Sequence, residues 1–361
     1  MGKDSEYYKE KKREQLIKLK ELLRMLPDCA REYIHSKEMS SQTSSLISYC
    51  YDLLAFFMYL KEASHYYDKY EVCDFRLDDL ENISSEDIYE YMRYLKFNIG
   101  EVNHENENRA IARKMAPLRG MYRFHLKNEH IKRDPTAQVD LPKYKKDKNI
   151  IRMNNYEVLS VLESVRNAEF QTMSEHQKVY ALKTKQRDFA ILTLMLGTGI
   201  RVSECRGLDL DDIDFIVNSL TIVRKGGGQD LIYFGAPVAE ALKDYVEGER
   251  EAIRPVEGHE KALFYSMQGR RISVDAIEKL VKKYAMIAIP TKKITPHKLR
   301  STYGTALYRE TGDIRLVADV LGHENVNTTI DYYAAIEDNH KRSAADAVDF
   351  NKNEDNSSNG S

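Results

Sequence analysis

Residues 295–333, TPHKLRSTYGTALYRETGDIRLVADVLGHENVNTTIDYY, decide how the second half of this chain is read. Thr295 and Pro296 have the form of an N-cap followed by proline at the first helical position. His297 and Arg300, three apart, then project from one face of the first turn. The unpaired N–H groups and positive dipole end there form a natural seat for a phosphate. A second helical run, about 313–321, should stop at Gly322, with His323 next. Tyr333 stands ten residues after His323, with Tyr332 just before it. Two histidines, an arginine and a late tyrosine are the parts needed to attack a phosphodiester with a side-chain hydroxyl.

No one part decides the matter, because an H-x-x-R spacing is common on helix surfaces and the chain holds 24 tyrosines. The bulk composition narrows the field. A length of 361 residues allows two domains with sizeable cores, and a net charge of −2 gives no overall basic signal. A nucleic-acid reading must therefore rest on local charge. Cys29, Cys50, Cys73 and Cys205 lack C-x-x-C spacing, so neither a zinc site nor a disulfide framework is expected, and reduced thiols in a cytoplasm fit best. The charged N-terminus and the absence of an ~18-residue apolar run speak against an export signal or membrane anchor. Walker-type and G-x-G-x-x-G loops are missing, which counts against a nucleotide-driven enzyme. No cofactor and no metal are expected.

Taken in order, residues 1–36 predict a charged helical extension with a partial stripe of Leu16, Leu19, Leu22, Leu23 and Leu26. Packing on its own domain is the simplest role for it. SLISYCYDLLAFFMYL places Leu46, Tyr49, Leu53, Phe56, Phe57 and Leu60 on one helix face. A further helix is expected after Asn82–Ser84, ending near Gly100, with a loop at 101–108. Residues 109–148 hold twelve Lys/Arg against four Asp/Glu. This basic helix continues into the linker LPKYKKDK, and the pair suits tracking of a phosphate backbone. Arg113, Lys114, Arg119, Lys143, Lys145 and Lys146 are the candidate DNA contacts. The reading up to this point is all helix.

From residue 150, NNYEVLSVLESV and QRDFAILTLMLGTG predict two helices, the second wholly buried and ended by Gly197 and Gly199. Arg201 follows on that turn. IDFIVNSLTIVRKGGGQDLIYFG is the one β-rich stretch, a hairpin with Lys225 at its tip. Helices are expected from Pro237 and over 273–288.

The unusual polar residues of this half are Arg201, Lys225, His297, Arg300, His323 and Tyr333. Two guanidiniums can clamp the non-bridging oxygens of a five-coordinate phosphorus. A lysine on a hairpin tip can protonate a leaving 5′ oxygen. A tyrosine hydroxyl, with an ordinary pKa of about 10, needs orientation or activation by histidine. The resulting phosphotyrosine keeps the energy of the diester bond, so no ATP or metal is required.

This set, in this order, resembles the tyrosine site-specific recombinases, both the phage-type integrases and the Xer enzymes. The resemblance rests on GTGIRVSE (197–204), VRKG (223–226), TPHKLR (295–300), LGH (321–323) and TTIDYYA (328–334). In the N-terminal half it rests on 43–57 and 112–119. It implies a mainly α protein: an all-helical core-binding domain at 37–140, after the extension at 1–36, and a basic linker at 141–149. A mixed α/β catalytic domain with a small antiparallel sheet would occupy 150–336, forming with the first a C-shaped DNA clamp. A trans-packing helix at 337–350 and a disordered tail at 351–361 would complete the chain.

By the same resemblance, Arg201 and Arg300 cradle the scissile phosphate, Lys225 is the general acid, and His297 and His323 complete the pocket. Glu204 would buttress the turn of Arg201. The family's nucleophile falls nine or ten residues after the LGH histidine, and both positions are tyrosine here; the downstream register favours Tyr333, with Tyr332 the alternative. A 3′-phosphotyrosyl intermediate, a Holliday junction and a homotetramer on a double-stranded recombination site are implied. The free protein would be a monomer or weak dimer, cytoplasmic and nucleoid-associated, and an accessory DNA-bending or directionality factor is a further candidate partner. Mobile-element integration and chromosome dimer resolution both fit. The competing readings are a DNA-binding factor that has lost catalysis and a topoisomerase of related chemistry.

Overall fold

A computed structural model of the chain describes residues 6–97, 108–143, 152–167, 174–224 and 227–322. Two compact units divide it, one of residues 8–146 and one of residues 147–361 together with 1–7.

The first unit is helical throughout its described residues. Its helices are α1 (Glu6–Met25), α2 (Asp28–Lys37), α3 (Thr43–Ala63), α4 (Leu77–Asn82), α5 (Ser85–Phe97) and α6 (Asn108–Lys127). The single helix expected over 1–36 is in fact two, because Pro27 sits in extended conformation between them and starts α2. The leucine stripe also shortens: Leu16 is exposed, whereas Leu19, Leu22, Leu23 and Leu26 enter the same core as α3, α5 and α6. In α3, Leu46, Leu53, Phe56, Phe57 and Leu60 are buried as their spacing demands, with Tyr49 packed at the margin. Ser84 caps α5 by reciprocal bonds with Asp87.

In the second unit α9 (Lys185–Thr198) is the central helix, in contact with α7 (Asn155–Arg166), α11 (Ala236–Tyr245), α12 (Val274–Ala288) and α13 (Pro296–Thr311). Ala190, Ile191, Leu192, Leu194 and Met195 point in several directions from its axis and all are buried, which explains why its sequence shows no polar face. The short helices α8 (Glu175–Lys183), α10 (Val202–Arg206) and α14 (Ile314–Leu321) complete the α-helices of the described residues.

The β-rich stretch forms more than the expected hairpin. Strands β1 (Ile213–Asp214), β2 (Ser219–Val223) and β3 (Gln229–Tyr233) make an antiparallel sheet in the order β1-β2-β3. Ser219 pairs with Tyr233 and Val223 with Gln229, so the chain reverses just beyond Arg224. Leu220 and Ile222 face the core, and their alternation carries Arg224 to that same face. The fold is therefore mainly α with a small antiparallel sheet.

Candidate active site

Two glycine-capped helix ends set the position of the charged residues. Gly199 terminates α9 at φ +64, and a Cβ there would lie 2.4 Å from the Tyr303 ring. Gly322 terminates α14 at φ +59, where a Cβ would lie 2.7 Å from the Arg224 guanidinium carbon. Both positions need the left-handed backbone and the missing side chain together.

Arg201 is the N-cap residue of α10. Its backbone N–H and its Nη1 donate to the two oxygens of Glu204, each at 2.7 Å, while Nη2 donates to the Gly322 carbonyl at 3.1 Å. Glu204 is 2 % exposed at its side chain, so its charge must be compensated, and Arg224 adds a second guanidinium at 3.5 Å. Glu204 thus buttresses the turn of Arg201, as the family resemblance implies.

Arg224 was not singled out by sequence. Its Nη2 donates to the Val320 carbonyl at 2.8 Å, Nη1 reaches the Leu321 carbonyl at 3.4 Å, and Nε donates to Asp230 at 2.8 Å. The available signal was strand parity, since an arginine on the inward face of β2 demands buried acceptors. Arg300, 4 % exposed, donates from Nη1 to the Gly199 carbonyl at 2.7 Å and from Nη2 to the Leu321 carbonyl. Three guanidiniums therefore converge on the last carbonyls of α14, at the negative end of that helix. The chain leaves this anchored turn at residue 323.

His297 lies in the first turn of α13. Its imidazole is held below the ordinary histidine pKa. Crowding that strips water from the ring is the first cause, followed by the positive charges of Lys298, Arg300 and Arg201. Pro296 occupies the first helical position as expected, but Thr295, though extended at the N-cap, makes no side-chain capping bond. Asp313 does cap α14, accepting from the N–H groups of Arg315 and Leu316.

The structure therefore brings Arg201 and Arg300 together around Gly322 and puts His297 in their positive field. Lys225, His323, Tyr332 and Tyr333 lie outside the described residues, as do Lys145 and Lys146. Among the basic residues of the first unit, Arg113 and Lys114 meet the buried Asp52 at 3.0 Å and 3.6 Å. Burial raises the Asp52 pKa against the lowering influence of both cations. Arg113 keeps 59 % of its side chain exposed. Arg119 instead donates to the Val139 carbonyl. Lys143 is exposed, and its carbonyl accepts from Asn108.

This architecture defines a class. Solved structures with the same fold are site-specific recombinases. A XerH recombinase bound to a palindromic difH substrate aligns at a TM-score of 0.63 and 20% identity, over 86% of this chain and 82% of that one. A Tn1549 transposon integrase in complex with transposon right end DNA aligns at 0.60 and 18% identity, over 88% and 98%. The family follows from sequence. The phage integrase family model matches residues 163–340. Tyrosine recombinase XerC of Caldanaerobacter subterraneus subsp. tengcongensis is 33% identical over 350 residues, covering 91% of this chain and 90% of that protein. Tyrosine recombinase XerS of Lactococcus lactis subsp. lactis is 29% identical over 360 residues, covering 93% and 99%. This chain belongs to the tyrosine recombinases of the phage integrase family, and it is an enzyme of site-specific recombination.

Proposed function

We propose that the chain cleaves and rejoins duplex DNA at a specific site through a 3′-phosphotyrosyl intermediate. The observation that carries this reading is the convergence of Arg201 and Arg300 on one anchored helix end, with residue 323 next in the chain. Arg201 and Arg300 hold the non-bridging oxygens of the scissile phosphate, where negative charge builds as phosphorus becomes five-coordinate. The Tyr333 hydroxyl attacks phosphorus, with Tyr332 the alternative nucleophile. The new bond joins the tyrosine oxygen to phosphorus, and the bond that breaks is phosphorus to the 5′ oxygen. Lys225 supplies the proton to that leaving oxygen. His297, whose pKa is lowered by loss of water and by the neighbouring cations, is suited in its neutral form to accept the tyrosine proton or a hydrogen bond along that path. His323 completes the phosphate pocket. Reversal with a different 5′ hydroxyl rejoins the strand, and the phosphotyrosine conserves the energy needed.

The partner in this reading is a double-stranded recombination site. Arg113, Lys114, Lys143, Lys145 and Lys146 contribute phosphate contacts, and Arg119 shapes the surface that presents them. Strand exchange proceeds through a Holliday junction in a homotetramer, with residues 337–350 packing on the adjacent protomer. The substrate site serves a mobile element or chromosome dimer resolution.

The test is covalent trapping on a nicked suicide substrate taken from DNA flanking the gene. Wild type should form a protein–DNA adduct, Tyr332→Phe should retain it, and Tyr333→Phe should lose it. Loss only in Tyr332→Phe would reassign the nucleophile. Tight binding without any adduct in wild type would favour a factor that has lost catalysis.

A further inference from the structure

Far along the chain from this chemistry, in the first unit, three potential ligands of α2, α6 and the turn that follows α6 converge. Glu32, His125 and His130 place one ligand atom each within 4.8 Å of one another. His125 Nδ1 and His130 Nδ1 are 3.1 Å apart, and Glu32 Oε2 lies 3.9 Å from His130 Nδ1. Two nitrogens, each ~2.0 Å from a tetrahedral zinc ion, stand roughly 3.3 Å apart. The imidazole pair already has that spacing.

The tautomer is also set. His125 Nε2 lies 2.8 Å from the Cys29 carbonyl, which can only accept, so Nε2 carries the proton and Nδ1 presents its lone pair. Metal-binding histidines are held in this way, with the far ring N–H on a carbonyl or carboxylate. His125 is fully buried, so its ring is fixed with Nδ1 toward His130.

The backbone is shaped to bring the second histidine back. The His130 N–H donates to the His125 carbonyl at 2.9 Å and the Glu129 N–H to the Leu126 carbonyl at 3.1 Å. With Glu129 left-handed at φ +59, these bonds form a Schellman end to α6. Such ends usually carry glycine at the left-handed position and an apolar contact between the two residues that here are His125 and His130. The chain instead tolerates an unfavourable glutamate conformation and brings two tilted imidazoles together through their Nδ1 atoms.

We propose that Glu32, His125 and His130 form a zinc(II) site that ties α2 to the end of α6, with water as the fourth ligand. On binding, the proton that His130 shares through Nδ1 moves to its Nε2, and both Nδ1 lone pairs and the Glu32 carboxylate face the ion. The site is structural: it fixes the C-terminal end of the basic helix relative to α2.

The experiment uses the full-length, reduced protein, cleared of metal, and compares wild type with His130→Ala and Glu32→Gln. Both altered side chains are partly exposed, at 40% and 53%, so the fold should survive, and circular dichroism would verify it. Zinc titration by calorimetry should show one more equivalent in wild type than in His130→Ala. Glu32→Gln should weaken that equivalent roughly tenfold or more. Cobalt(II) should give tetrahedral ligand-field absorption in wild type that is missing in His130→Ala, and zinc should raise the melting temperature of wild type but not of His130→Ala. Equal stoichiometry in wild type and His130→Ala would overturn the site. Unchanged affinity in Glu32→Gln would remove the carboxylate, and with it the proposed ligand set.

Discussion

Replacing Gly322 by alanine probes the anchored helix end most directly, and Gly312 supplies a matched control. Both glycines end a helix in the left-handed conformation, at φ +59 and φ +65. Alanine at either position should therefore cost about 1–2 kcal/mol for backbone conformation alone. At Gly312 an added Cβ meets nothing within 4 Å, so the cost should end there. At Gly322 the Cβ would lie 2.7 Å from both the Cζ and Nε of Arg224, and that side chain must move. It then gives up its bonds to the Val320 and Leu321 carbonyls, charged hydrogen bonds worth about 1.5–3 kcal/mol each before water replaces them. Allowing for that replacement and for the length of the Leu321 bond, Gly322→Ala should exceed Gly312→Ala by about 2 kcal/mol, roughly 30-fold in the folding equilibrium. Urea unfolding followed by circular dichroism measures the difference. The rate of covalent adduct formation should fall only in Gly322→Ala, because residue 323 leaves from that turn. Equal destabilisation within about 0.5 kcal/mol, together with equal adduct rates, would show that Arg224 does not hold the turn and would refute the argument.

Glu204→Gln keeps the shape of the side chain but removes the buried charge shared by Arg201 and Arg224; a loss of about 3 kcal/mol is expected by the same denaturation assay, with slower adduct formation. His297→Asn should flatten the pH dependence of stability. Because the folded pKa lies below the ordinary value of about 6.5, the unfolded chain binds more protons just below that pH, and stability falls as pH falls through the window. The variant should lose that part of the slope in melts run from about pH 7 down to pH 5.5. Arg113→Ala and Arg119→Ala should separate surface contact from internal anchor. The first should lower the slope of log affinity against log salt by about 1, whereas the second should cost about 1–2 kcal/mol of stability with little change of slope.

Much of the fold was legible because its helices carry long, one-sided patterns. The stripe from Leu46 to Leu60 and the N-terminal signature of α13 depend on residues within a few turns of one another, and sequence shows such neighbours directly. Elements without a pattern were missed: α4 is the six residues LDDLEN, and β1 spans two residues that pair only once β2 exists. Leu16 follows the stripe in spacing yet is exposed, because the helix extends past the core it packs on. For charged side chains the limit is sharper. Arg113 meets a carboxylate 61 residues away, and Arg224 meets carbonyls 96 and 97 residues away. Partners at such separation arise from tertiary packing, so a charge count read along the chain could not assign them.

The same distant partners explain why the arginine cluster suits an anion. Arg201, Arg224 and Arg300 bring three positive charges to the end of α14, while Glu204 and Asp230 return two negative ones. The partial negative charge of the helix end offsets part of the remainder, but peptide carbonyls carry only a fraction of a charge. A phosphodiester bound there would set a full negative charge against these guanidiniums, and the five-coordinate state, which gathers more charge on its oxygens, would gain more. The pKa of His297 is lowered first by loss of water around its ring and then by the same field, since Lys298, Arg300 and Arg201 all disfavour a further cation there. Glu204 has to be buried for this to work. An exposed carboxylate could swing away and leave Arg201 mobile, or swing in and occupy the anion's place. At 2 % exposure, held by the Arg201 N–H and two guanidiniums, it can do neither.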